Sequence, residues 1–334
     1  MEVDPPEFRV ARSFWNILAH ATNGFPQTYK EAMKRDDAKQ WEQAMREELK
    51  SQHENKTWRL VPRPKNRRIV KCKWVYVIKP NGLYKACLVA KGFTQVEGID
   101  FQETFSLVAR YEAIRFLLAH ATLEDWEIEA LDIKTMFLYG KLDEEIYMEQ
   151  PEGFGKKGQE GHVCRLLKAI YGLKQASRTW NKKLHKTLLA NGFRRTCSNA
   201  GVYVHDQWKM ILIVYVDNLL PMDPRLDRIM SIKKILAKQF QMRDLSAATT
   251  FLGMWIECDR KNRILQIDQK AYTEGIVLRF DMMNVKPLWM PLPEGIHLEK
   301  VPDDYTAKDK FWTHYQAMIG SLIYLMIGSR PDIA

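Results

Sequence analysis

The chain has 334 residues, enough for one large or two ordinary domains, and its 46% hydrophobic and 28% charged content is that of a folded protein rather than a disordered one. Its longest apolar stretch, Ala317–Gly328, is well short of the ~20 residues that span a bilayer, and the opening MEVDPPEF has neither the basic flank nor the apolar run of a signal peptide, so no membrane partner is expected. Five cysteines, odd in number and never spaced CxxC, exclude a disulfide scaffold or zinc ribbon and fit a reducing compartment, while 51 Lys and Arg against 41 Asp and Glu leave a net charge of +10 that suits a polyanionic partner.

Residues 1–25 carry little pattern and read as a linker or the tail of a preceding region. Trp41, Ala44, Met45 and Leu49 share one helical face, which predicts a helix over Ala38–Leu49. Lys73–Ile78 and Leu83–Ala90, either side of Pro80-Asn81-Gly82, predict a β-hairpin. That hairpin lies in a stretch from Asn55 to Val96 with eleven basic residues and no acidic one. Trp58, Trp74, Tyr76, Tyr84 and Phe93 are interleaved with them, a combination that serves phosphates and bases together. From Val96 to Glu152 the sign reverses and Glu and Asp dominate. Within this stretch Glu112–Ala121 reads as a helix and Trp126–Ile133 as a strand.

A second basic block, Gly155–His205, again has eleven basic residues, opposed by Glu160 alone. Most of Arg165–Leu189 reads as helix, interrupted at Gly172. Gly201–Leu220 predicts a second hairpin, turning near Asp206-Gln207 and containing a buried strand over Met210–Val216. Asp227–Phe240 is expected to be helical, Thr250–Asp259 with Arg263–Ile267 to form a third hairpin, and Trp312–Gly328 to be an apolar helix. Irregular alternation of this kind indicates an α+β fold.

Two aspartates stand where patterning calls for apolar residues. The period-two face of WEIEALDI runs Trp126, Ile128, Ala130 and then Asp132, and that of ILIVYVDN runs Ile211, Ile213, Tyr215 and then Asp217. A carboxylate ending a buried strand must be paired, hydrogen-bonded or bound to a cation, because desolvating it alone is costly. Each aspartate by itself also fits a cap or turn just past its strand. Two of them, with basic flanks, suggest a divalent-metal site for phosphoryl transfer.

LDIKTMFLYGKL (Leu131–Leu142), YGLKQASRTW (Tyr171–Trp180) and YVDNLL (Tyr215–Leu220) resemble the three central polymerase motifs of copia-type retrotransposon reverse transcriptases. PQTYKEAM, WEQAMREEL, KWVYVIK, YKACLVAKGFTQVEGIDFQETF, FLGM and YQAMIGSLIYLMIGSRPDIA resemble the same family in the same order, from about Pro26 onward. The resemblance implies a right-hand polymerase of fingers, palm and thumb with a ferredoxin-like antiparallel palm sheet. It implies residues 26–295 as the reverse transcriptase domain and 296–334 as a segment leading toward a missing ribonuclease H domain. The implied activity is RNA-directed DNA polymerisation by two-metal nucleotidyl transfer, with two Mg²⁺ or Mn²⁺ ions. The implied partners are an RNA or DNA template with its primer and dNTPs. Fusion to protease, integrase and ribonuclease H regions is normal for the family, as is an intracellular location in a cytoplasmic virus-like particle or the nucleus.

Carried over by position, Asp132 and Asp217 are the metal carboxylates, with Asn218 beside them in the catalytic motif. Phe137 stands where the family places an aromatic gate against the ribose 2′-hydroxyl. Gln175, Lys85 and Lys91 fall at nucleotide-facing positions, and Phe251, Leu252, Gly253 and Met254 match the hairpin that grips the primer end. The sequence also departs from the family pattern. Asn218 replaces a second aspartate, which costs the site one negative charge, and Cys87 replaces an arginine. Met136, Tyr139, Ser106-Leu107 and Asn181 are further departures. Two readings follow, an active or impaired polymerase and an inactive relic that only binds nucleic acid.

Overall fold

The computed structural model describes residues 24–79, 82–288, 295–297 and 309–334. The expected N-terminal tail falls almost wholly outside them, as do Pro80 and Asn81 of the first turn signal.

A six-stranded antiparallel sheet organises the fold, in the order β12-β5-β11-β10-β9-β8. Its strands are β5 (Glu127–Ile133), β8 (Phe193–Arg195), β9 (Val202–His205), β10 (Ile211–Tyr215), β11 (Asn218–Asp223) and β12 (Met242–Ala247). Four consecutive residues of β10, Leu212 to Tyr215, are buried, so both faces of the sheet are covered there. Helices α2 (Tyr111–Leu123), α3 (Ala176–Leu189) and α4 (Leu226–Ala237) add Ile114, Leu118, Trp180, Leu184, Ile229 and Ile232 to the same core. The region expected as one hairpin, Gly201–Leu220, is a three-stranded meander, with a second reversal at Val216-Asp217.

Ahead of this sheet, helix α1 (Ala38–Glu54) runs a turn longer than its apolar spacing predicts. It packs on the hairpin of β3 (Cys72–Ile78) and β4 (Tyr84–Ala90) through Trp41, whose ring meets Tyr76 and Tyr84 edge-on at 5.1 and 4.5 Å. A four-stranded sheet, β1-β7-β6-β2, lies alongside, built from β1 (Trp58–Pro62), β2 (Ile69–Val70), β6 (Lys141–Met148) and β7 (His162–Lys168). Beyond β12 come β13 (Thr250–Phe251), β14 (Met254–Asp259), β15 (Ile264–Asp268), α5 (Lys270–Arg279) and α6 (Asp309–Gly328). No helix among the described residues is long and apolar enough to cross a membrane.

The helix expected over most of Arg165–Leu189 is corrected: Arg165–Lys168 belongs to β7 and the helix begins at Ala176. RLLK has good helix propensity, but both edges of β7 are paired, with β1 and with β6, and that tertiary hydrogen bonding outweighs a local preference. The interruption at Gly172 is real. Its φ is +90°, and a Cβ there would stand 2.1 Å from the Ala90 carbonyl oxygen. The Ala90 amide donates to the Tyr171 carbonyl at 2.8 Å, so this turn clamps the end of β4. Gly172→Ala is therefore expected to destabilise the protein by about 3 kcal/mol or more, through a strained backbone and a clash with main chain that cannot move aside. Chemical denaturation measures this; an unchanged midpoint would show that the turn relaxes freely.

Candidate active site

The closing pair of the β10–β11 hairpin is Tyr215 with Asn218, leaving Val216 and Asp217 as a two-residue turn. Val216 is left-handed, with φ +58°, a conformation that costs a β-branched residue about 1–3 kcal/mol. Two buried contacts hold it. The Trp180 indole donates to the Val216 carbonyl at 2.7 Å, and the Ile133 amide donates to the Asp217 carbonyl at 2.9 Å. Asp217 thus sits in a turn and not at the end of a strand, as patterning alone suggests. In the pairing of β11 with β5, Asn218 is the register partner of Asp132. Asp217, 85 positions from Asp132 in sequence, is thus the chain neighbour of that residue's register partner, and both aspartates are half-buried. The Asn218 amide donates to the Asp217 carboxylate at 2.8 Å.

Basic residues surround the pair. Arg243 on β12 is the register partner of Asp132 on its other side. The β3–β4 hairpin brings Lys79 and Lys85 into the electrostatic field of Asp132 and Asp217, respectively. Burial lowers the Lys79 ammonium, and the neighbouring Lys85 and Arg243 lower it further, while Asp132 acts the other way. Lys85 is held above its ordinary range, by Cys87 first and then, against burial, by Tyr171, Glu48 and Asp217. The Cys87 thiol, 1% exposed, is pushed up to about 11 by burial. It is neutral at physiological pH, and burial raises the neighbouring Glu48 carboxyl as well.

The other expected site residues are placed as follows. Phe137 is buried, with its ring edge-on to Tyr171 at 4.8 Å, and Tyr171 in turn lies near Lys85, Cys87 and Asp217. Gln175 is 1% exposed and its amide is occupied. It accepts from Gln95 at 3.2 Å and donates to the Asp100 carbonyl at 2.9 Å and to Glu144 at 3.3 Å. In this arrangement it locks the loop after β4 to the start of α3. Lys91 stands six residues from Lys85 along the hairpin, roughly 20 Å for extended chain, and its charge acts on Cys72 and Lys73 instead. Leu252 and Gly253 form the turn between β13 and β14, both with positive φ, and Phe251, Leu252 and Met254 are buried. The Tyr324 hydroxyl of α6 donates to the Leu252 carbonyl at 3.0 Å, so the helix covers this turn.

Four contributors escape sequence reasoning: Lys79, Arg243, Tyr171 and the indole of Trp180. Lys79 and Arg243 are ordinary lysine and arginine by any local signal; strand register selects Arg243, and the placement of the β3–β4 hairpin selects Lys79. The departures at Tyr139 and Asn181 are packed, not damaged. The Tyr139 hydroxyl accepts from the Gln241 amide at 2.7 Å, and its ring meets Phe240 at 5.1 Å. Asn181 donates to the Leu107 carbonyl and accepts from Arg195, both at 3.1 Å.

Hard anionic oxygens from Asp132 and Asp217, with an amide beside them, fit a divalent cation of the Mg²⁺ or Mn²⁺ type. Among the described residues no cluster of three or more His, Cys, Asp or Glu side chains is assembled.

Comparison with known proteins gives a consistent result. A family model described as "Reverse transcriptase (RNA-dependent DNA polymerase)" matches residues 55–294. The chain is 41% identical over 320 residues to the retrovirus-related Pol polyprotein from transposon TNT 1-94 of Nicotiana tabacum, covering 92% of this chain and 24% of that protein. It is 37% identical over 327 residues to the corresponding polyprotein from transposon RE2 of Arabidopsis thaliana, covering 94% of this chain and 22% of that protein. A putative transposon Ty5-1 protein of Saccharomyces cerevisiae is 31% identical over 206 residues, 61% of this chain and 66% of that protein. The chain thus spans about a quarter of the length of the plant polyproteins it matches.

Proposed function

The chain belongs to the reverse transcriptase family of copia-type transposon Pol polyproteins, and on that premise we propose that it extends a primer on an RNA or DNA template, using dNTPs and two divalent ions. The observation that carries this reading is the register of β5 and β11, which sets Asp132 beside the Val216-Asp217 turn under the lysines of the β3–β4 hairpin. In this reading the six-stranded sheet is the palm, the β3–β4 hairpin with α1 the fingers, and the chain after β12 leads into the thumb. Residues 26–295 form the polymerase unit and 296–334 lead onward toward a ribonuclease H region. The protein would act inside the cell, in a virus-like particle or the nucleus, as part of a longer polyprotein.

Asp132 and Asp217 would hold the ions. When bound, these supply Lewis-acid polarisation of the primer hydroxyl and charge compensation for the triphosphate. The protein's own contribution is position and field. Lys79 and Lys85 face the centre with charges suited to phosphate oxygens, and burial of Phe137 against Tyr171 fixes a ring at the edge of the nucleotide space. Phe137→Ala is expected to raise rNTP incorporation relative to dNTP, because the opened space admits a 2′-hydroxyl. Steady-state primer extension with each nucleotide class, on protein shown to be folded, checks this. Unchanged sugar discrimination would leave Phe137 as a core residue only.

One observation favours the second reading, that of a nucleic-acid-binding relic. The amide of Asn218 donates to Asp217, taking up a lone pair that an ion would use, and adds no charge of its own. Primer extension against Mg²⁺ concentration separates the two readings, with activity supporting the polymerase and duplex binding without activity supporting the relic.

A further inference from the structure

Helix α6 has no polar face. From Phe311 to Gly328 it contains no Asp, Glu, Lys or Arg, and Thr313, His314, Gln316 and Ser321 are scattered around it. A helix that is apolar all round is ordinarily covered on every side. One side of α6 is covered. Ser321, Tyr324 and Leu325 are buried, the Tyr324 ring meets Tyr272 of α5 edge-on at 4.7 Å, and a Cβ on Gly328 would stand 2.3 Å from the Gln269 amide oxygen. The other side is open. Phe311, Trp312, Tyr315, Ile319, Leu322 and Ile323 are between 37% and 60% exposed. At 100° per residue they fall within about 120° of the helix circumference, on the side away from Tyr324. The Tyr315 ring stacks with those of Phe311 and Trp312, at 6.4 and 5.9 Å between centres. Together the six present on the order of 500 Å², taking about 150–250 Å² for a large side chain, which is near the upper end of the apolar patch a soluble monomer exposes.

The stripe has no cation with which to hold a phosphate backbone. It also lacks the basic polar face of a helix that lies on a membrane, since protein occupies its reverse side. Its spacing fits a helix of its own kind. Trp312, Tyr315, Ile319, Leu322 and the half-buried Met326 follow one another at three, four, three and four residues, the seam along which two helices interlock. Two copies would bury about 1,000 Å² through the stripe alone, the size at which an interface becomes specific. We propose that α6 is a self-association helix, two copies of the chain pairing their stripes antiparallel about a two-fold axis at Ile319, with Tyr315 of each copy opposite Leu322 of the other. Antiparallel pairing seats the stacked rings of one helix on the aliphatic half of the other, large against small. The two-fold axis closes the assembly, so neither stripe is left open. Pairing requires neither metal, dNTP nor nucleic acid and does not depend on the catalytic reading.

The test is sedimentation velocity of the whole chain in EDTA, free of nucleic acid, over a concentration series. Wild type is expected to pass from monomer to dimer at micromolar concentration and to stop there. Leu322→Glu and Tyr315→Arg, both at exposed positions, are each expected to weaken dimerisation ~100-fold at an unchanged melting temperature. Mixed together, the two variants are expected to re-form a dimer, because the introduced guanidinium then faces the introduced carboxylate and the second pair is the native one. Trp312→Ser, at the exposed start of the helix, gives the same reading where Leu322→Glu lowers the melting temperature. A wild type that stays monomeric throughout would overturn the proposal, as would a dimer that survives all three substitutions. A mixture that stays monomeric would overturn the antiparallel arrangement. A ladder of species beyond the dimer would overturn the closed pair and make the stripe a non-specific apolar surface.

Discussion

Alanine in place of Asp132 or Asp217 is expected to lower metal-dependent primer extension by ~10³-fold or more, since on the proposed reading each would remove a carboxylate that holds the ions and several kcal/mol of transition-state charge stabilisation with it. The melting temperature should stay close to that of the wild type. Two bare carboxylates side by side would repel, and relieving that repulsion would stabilise the fold. Here Arg243 and Lys79 flank Asp132, and Lys85 lies in the field of Asp217, so the repulsion is already offset. Retained extension in either variant would remove that residue from the centre. Asn218→Asp is the complementary change. It ends the amide donation to Asp217 and adds a negative charge next to Asp132, so extension should reach half-maximum at lower Mg²⁺. If wild type and Asn218→Asp are both inactive though folded and able to bind duplex, the relic reading stands. Cys87 is the remaining departure at the centre, and an arginine there would enter a closed space with Glu48 to meet and Lys79 and Lys85 to oppose it.

The second large effect is on stability. Lys233 of α4 is 5% exposed and is bonded to Glu129 of β5 and, at 2.5 Å, to Asp244 of β12. The triad ties a helix to the two strands that carry Asp132 and Arg243. Lys233→Met is expected to cost about 3–5 kcal/mol, because Glu129 is then left buried without a counter-charge. Adding Glu129→Leu should recover most of that loss, since an apolar replacement of a buried pair is close to neutral. Guanidinium unfolding of wild type, single and double variants measures both steps. A double variant as unstable as the single would mean that the loss lies in packing and not in the orphaned charge. Burial works against ionisation of Asp244, but the Lys233 hydrogen bond, with the Ser246 amide, holds its carboxyl below the usual range. Its contribution is therefore present above the unfolded carboxylate value of about 3.9 and is lost as pH falls through the lower folded value. Lys233→Met should flatten stability against pH in that acidic window.

The sequence by itself determined the local elements and the chemistry at stake. The β3–β4 hairpin, α2, β5, the buried β10, the β14–β15 hairpin and the apolar final helix all follow from period and turn signals, and ordered motifs single out Asp132 and Asp217. Strand β7 was not legible, because RLLK is a fair helix locally and becomes a strand only when β1 and β6 bond both its edges. The same holds for β1, β6 and β12, whose residues alternate too weakly to be read without partners. The site shows the limit most clearly. Register is a long-range property, since one-residue slippage of β11 on β5 turns every side chain to the other face. The tertiary structure alone decided that Asn218 lies opposite Asp132, that Arg243 flanks it, that Lys79 and Lys85 arrive while Lys91 does not, and that Gln175 is spent inside. Each depends on pairings between residues tens of positions apart, which hydrophobic periodicity along one segment does not encode.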